Sequence, residues 1–160
     1  MKLRKKVDKI LEAFLVIIMS ALVLDVVWQV TSRYLLSNPS SFTDELAVFL
    51  LIWVGMAGAA YVKGKNEHLS IDILPDKLPP KRRNRLMVII NFLVIIFSGT
   101  IMIVGGAWLA YTRFKMGQVS SALELPLGFV YMIVPISGIL MVYYAIDDIR
   151  LLNKEHKTLK

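Results

Sequence analysis

Asp25 is the one interior charge of the apolar run from Ile10 to Ser32, and Gln29 and Arg33 follow it at four-residue steps. On a helix that spacing puts all three on one face. A carboxylate at the centre of a bilayer costs about 2.5–3.5 kcal/mol on insertion scales and less near an interface. Two chemistries fit the stripe: a proton or cation relay, or a polar seam packed against another helix or a partner. A relay needs ionisable groups at the same depth in the other apolar runs. There the only other strongly polar residue well inside is Asn91, so the seam is the favoured reading. Asp44 and Glu45 could hold a cation, but after Thr43 they read as a helix start, with a hydroxyl cap and carboxylates at the positive end of the dipole. They could also meet a partner from outside, and Glu124, ahead of Pro126, has the same ambiguity. His68 and Asp72 are four residues apart and would suit metal or proton work on a helix. One imidazole and one carboxylate make a poor metal site, so a structural hydrogen bond is expected there and no metal. Arg82, Arg83 and Arg85 could contact acidic lipid headgroups, although membrane topology also explains them. No Ser/His/Asp set, phosphate loop or paired-carboxylate site is present and cysteine is absent, so no catalytic residue and no enzyme activity are expected.

The elements that carry these residues are apolar blocks. Of 160 residues 56% are apolar, clustered in stretches near the ~20 needed to cross a bilayer. The expected fold is an all-α integral membrane protein, a single domain over residues 1–160. Four transmembrane helices are expected at about 10–32, 44–62, 86–112 and 126–146. The first run follows a basic start like that of a signal peptide, but is too long and lacks a small-x-small cleavage site. Residues 68–79 mix leucine and isoleucine with charge, which suits a short interfacial amphipathic segment on the inner headgroups or an ordered loop. Pro135 in the fourth run removes a backbone hydrogen bond, so a kink is expected. Tyr143 and Tyr144 are placed at the inner interface.

Net charge is +7, but the basic residues lie in blocks between apolar runs, which indicates topology and not nucleic acid. Of the 19 Lys and Arg, all but Arg33, Arg113 and Lys115 fall before the first run, between the second and third, or after the fourth. That bias places both termini in the cytoplasm. The short outer loops would then present Asp44, Glu45, Arg113, Lys115 and Glu124 as candidates for docking a soluble partner. Within the second run, Gly55, Gly58 and Ala59 form a small-residue face of the kind that lets helix backbones approach in lipid, for helix packing or a subunit interface. Trp53 falls mid-run, away from both aromatic belts, as a packing anchor.

The order Arg33-Tyr34, Pro39, Asp44-Glu45, Trp53, Gly55, Gly58-Ala59-Ala60, Lys63, His68, Asp72, resumed at Ser120, Ala122, Leu123, Pro126, Tyr131 and Pro135, resembles the small, DctQ-like membrane subunit of tripartite ATP-independent periplasmic (TRAP) transporters. It departs from the family at Phe42 and Leu46, where tryptophan and glutamate are more usual. The resemblance implies a multi-pass protein of the bacterial inner membrane that scaffolds a large membrane subunit in a heterodimer. It also implies a periplasmic binding protein that delivers carboxylate-bearing solutes such as a dicarboxylate or sialic acid. Sodium is expected in the large subunit and no cofactor here. The alternative is a stand-alone four-helix exporter of the small multidrug type, which also has one acidic residue in its first helix. Such exporters insert in both orientations and show little Lys/Arg asymmetry, unlike this chain.

Overall fold

The protein is described by a computed structural model over residues 2–36, 40–65 and 79–158. Its helices are α1 (Lys2–Tyr34), α2 (Ser41–Lys65), α3 (Pro80–Phe97), a π-helical stretch (Ser98–Gly105), α4 (Gly106–Lys115), α5 (Leu127–Tyr131) and α6 (Ile133–Thr158). α3, the π stretch and α4 run on as one long helix, and α5 and α6 are one helix interrupted at Met132. The described residues thus contain four helices long and apolar enough to cross a membrane. Hydrocarbon offers the backbone no hydrogen-bond partner, so long apolar runs close their bonds internally as helices.

The helices extend past the apolar runs. α2 begins at Ser41 and ends at Lys65, the third crossing continues to Lys115, and the fourth to Thr158. Polar side chains outside the hydrocarbon do not stop a helix. Pro80 starts α3 in the first helical turn, where a missing N–H costs nothing. The interruption in the fourth crossing lies one turn before Pro135. Proline cannot bond the carbonyl four residues back, which is that of Tyr131, the last residue of α5.

α6 is the hub, packing on α2, α3 and the π stretch, while α1 packs on α2. The core is small: Leu11, Ala57, Ile133 and Tyr144, with Trp53, Phe14 and Leu140 against it. Small residues set the close approaches. A Cβ on Gly138 would lie 2.8 Å from Met102 Cβ, and one on Gly106 would lie 2.8 Å from Val134 Cγ1. The outward side chains, among them Leu24, Phe92, Ile101 and Val104, are apolar and exposed, as a lipid-facing surface requires. Tyr144, expected at the inner interface, lies at the end of the bundle where α1 starts, its hydroxyl on Asp8. It is fully buried, with its ring where a Cβ on Gly64 would come within 2.6 Å.

Candidate functional site

Two polar clusters close the ends of the bundle. At the end where α1 starts and α6 finishes, Lys63 and Asp148 meet out of water, their side chains 4% and 7% exposed. Lys63 Nζ donates to Asp148 Oδ2 at 2.8 Å and to Asn91 Oδ1 at 2.6 Å. Asn91 Nδ2 donates in turn to the Met87 carbonyl at 2.9 Å. Arg4 takes the other side of the same carboxylate: Nη1 donates to Asp148 Oδ1 at 2.8 Å and to Asp147 Oδ2 at 3.1 Å. Its Nη2 donates to the Gly64 carbonyl at 2.5 Å. Beside it, Tyr144 Oη donates to Asp8 Oδ1 at 2.6 Å. One network therefore joins all four crossings: α1 through Arg4 and Asp8, α2 through Lys63 and Gly64, α3 through Asn91, and α6 through Tyr144, Asp147 and Asp148. Removing one partner of a buried ion pair leaves an uncompensated charge and costs about 3–5 kcal/mol.

At the opposite end, adjacent carboxylates at the start of α2 reach in two directions. Asp44 Oδ1 accepts from Gln29 Nε2 and, at 3.3 Å, from Arg33 Nη2. The seam of α1 is thus brought against α2. The Arg33–Asp44 pair is half exposed, at 50% and 46%. Glu45 binds the loop between the third and fourth crossings, accepting from the backbone N–H of Ser121, Ala122 and Leu123 at 3.0, 2.9 and 3.1 Å. That loop is narrowed by a Ser120 N–H to Leu125 carbonyl bond of 2.9 Å and a Leu127 N–H to Gln118 carbonyl bond of 2.9 Å. Glu124 sits at φ 52° in its turn, the left-handed region that few side chains adopt without cost. Arg113 donates to Gln118 Oε1 and lies 5.7 Å from the Tyr131 ring centre. Of the five docking candidates, Lys115 and Glu124 are exposed, whereas Asp44, Glu45 and Arg113 are bound within the chain.

Asp25 is 9% exposed, and its Oδ2 is buried without a hydrogen-bond partner among the described residues. Trp53 anchors α2 to the fourth crossing, its Nε1 donating to the Val130 carbonyl at 3.0 Å, beside the interruption that leaves carbonyls there without helical partners. Gly55, Gly58 and Ala59 do not pack inside this chain. A Cβ on either glycine meets nothing within 4 Å, and Ala59 is exposed. The buried small residues of α2 are instead Ala57, Ala60 and Gly64, on the opposite side of the helix. Arg82, Arg83 and Arg85 are exposed at the start of α3. His68, Asp72 and most of the segment 68–79 lie outside the described residues.

The Lys63–Asp148–Arg4 network is nearly silent in the sequence. Asn91 was its one visible signal: a carboxamide inside an apolar run needs a partner.

A family model described as "Tripartite ATP-independent periplasmic transporters, DctQ component" matches residues 22–154. The chain is 30% identical over 151 residues to the sialic acid TRAP transporter small permease protein SiaQ of Vibrio cholerae, covering 92% of this chain and 83% of that one. It is 28% identical over 102 residues to the C4-dicarboxylate TRAP transporter small permease protein DctQ of Rhodobacter capsulatus, covering 64% and 44%. The match to the isethionate TRAP transporter permease protein DctMQ of Oleidesulfovibrio alaskensis is 25% identical over 146 residues, covering 85% of this chain and 22% of that protein.

Proposed function

We propose a function from one premise: the chain belongs to the DctQ component family of TRAP transporters, as the small membrane subunit. Its relatives are named as transporter permease proteins and not as enzymes. In this reading it is a static brace in the inner membrane. It stabilises the large subunit, which carries the sodium-coupled pathway, and a periplasmic binding protein delivers the solute. A carboxylate-bearing solute is supported by the relatives named for sialic acid and C4-dicarboxylates. A large partner is supported by the match to a permease protein of which this chain covers 22%.

The observation that carries the reading is where the charges go. The buried cation Lys63, the half-buried Arg4 and the buried carboxylate of Asp148 are committed to ties between helices. A transport path needs charges that can change partners; these hold four crossings together. The outward Gly55, Gly58 and Ala59 face of α2 is then the close-approach surface for a helix of the large subunit. The distribution of Lys and Arg supports cytoplasmic termini, which puts the Glu45-held loop on the periplasmic side. Lys115 and Glu124, exposed beside it, are the side chains placed to meet the binding protein.

Reconstitution tests this. The chain alone in proteoliposomes should show no sodium-driven uptake of sialic acid or C4-dicarboxylate. Uptake should appear only with the large subunit and binding protein present. Uptake above empty vesicles by the chain alone would overturn the brace.

A further inference from the structure

The end of the bundle where the termini meet sorts its charges by sign. Among the described residues its acids turn inward: Asp148 to Lys63 and Arg4, Asp147 to Arg4, Asp8 to the Tyr144 hydroxyl. Glu12 is the described acid left exposed there. The cations outside the network point the other way. Lys5 and Lys9 on α1, Lys65 on α2, Arg82 and Arg85 on α3 and Arg150 on α6 are all exposed, and none makes an ion pair with a described acid. Every crossing therefore shows an outward cation at this end. Exposed apolar side chains share the same helix ends: Ile10 at 69% on α1, Ile89 at 50% on α3 and Leu151 at 36% on α6.

From this we propose that the rim binds anionic glycerophospholipids, each with its phosphate against a Lys or Arg and its chains along the apolar surface of the same crossing. Charge complementarity selects the headgroup, since a basic segment at a membrane surface attracts anionic lipid. The apolar flank selects a lipid over a free phosphate, which would bury nothing against Ile10 or Ile89. The buried network has a second consequence in this arrangement. By drawing Asp147 and Asp148 inward it removes the carboxylates that would neutralise the rim. The binding is independent of the transport role, and its test does not involve uptake.

The test uses the full chain in phosphatidylcholine vesicles with a trace of spin-labelled phosphatidylglycerol or spin-labelled phosphatidylcholine. The motionally restricted fraction gives the relative association of each lipid. Phosphatidylglycerol should associate about three- to fivefold more strongly than phosphatidylcholine, the order expected of one cation per lipid. The preference should fall toward one in 0.5 M salt and in a Lys5→Gln/Lys9→Gln/Lys65→Gln/Arg82→Gln/Arg85→Gln/Arg150→Gln variant. Arg33→Gln/Lys115→Gln, at the other end, should leave it unchanged, and millimolar inorganic phosphate should not compete. Equal association of the two lipids by the wild-type chain would overturn the proposal. So would a preference that survives the six-glutamine variant while circular dichroism shows the variant folded, or one that millimolar phosphate abolishes.

Discussion

The two ends of the bundle use the same chemistry under different conditions. At the termini end Lys63, Arg4 and Asp148 meet with side chains at most 14% exposed. At the opposite end Arg33 and Asp44 meet at 50% and 46%. Burial makes a lost partner expensive, because the remaining charge has no water to fall back on. Exposure makes it cheap, because water and salt replace the partner. The same ion-pair motif is thus a structural requirement at one end and an adjustable contact at the other. In the proposed reading, a subunit braced against a membrane partner and facing a soluble one uses that division.

The largest effect should come from opening the buried end. Lys63→Met leaves Asp148 with Arg4 alone and Asn91 without its donor. It should destabilise the bundle by about 3–5 kcal/mol, read as a fall in thermal unfolding midpoint in detergent. Lys63→Met/Asp148→Leu should recover part of that loss, since an apolar pair of similar volume leaves neither charge orphaned. A double variant as unstable as the single would show that the pair is not the source of the stability.

Next in size are the glycines, which separate inside from outside on one helix. Gly64→Leu drives side-chain atoms into the Tyr144 ring, already 2.6 Å from the first added carbon, and should cost about 1–3 kcal/mol or more as overpacking. Gly55→Leu and Gly58→Leu meet open space and should leave the isolated chain's unfolding midpoint unchanged while reducing co-purification with the large subunit. Full co-purification of both would assign that face to lipid.

At the open end, Glu45→Ala removes the acceptor for three loop N–H groups, each partly rescued by water. A cost of about 1–3 kcal/mol is expected, confined to the loop, with faster amide hydrogen exchange at Ser121, Ala122 and Leu123. Unchanged exchange there would mean that the loop's own bonds hold it. Arg33→Ala should be the mildest, about 0.2–1 kcal/mol, and its effect should vanish in high salt.

The sequence reveals the crossings because lipid makes its demand locally: a run of apolar residues is enough. It does not reveal the network. Lys63 reads as a topological flank and Asp147-Asp148 as the start of a polar tail, and 85 positions separate the pair. Only the parallel packing of α2 on α6 brings them together. The glycine pattern showed that α2 has a small-residue face but not which way it turns. Two positions on a helix are about 200° apart, so Gly55 looks outward while Ala57 is buried. The π-helical turn at Ser98–Gly105 has no signature in its residues. α6 packs against it so closely that a Cβ on Gly138 would lie 2.8 Å from Met102 Cβ. Thr43-Asp44-Glu45 read as a helix start, but α2 begins earlier, at Ser41, and the Ser40 hydroxyl, not that of Thr43, accepts from a first-turn N–H. The three loop partners of Glu45 were not legible, since backbone donors have no sequence identity.

In the proposed brace the buried charges are static ties and take no part in moving substrate or ion. The most direct measurement is sodium-driven uptake per assembled transporter for Lys63→Met/Asp148→Leu, reconstituted with the large subunit and binding protein and normalised to the complex recovered. A static brace predicts the wild-type rate per complex, with any loss confined to yield. An assembled complex at full yield that no longer transports would contradict it, and would place Lys63 and Asp148 on the transport path.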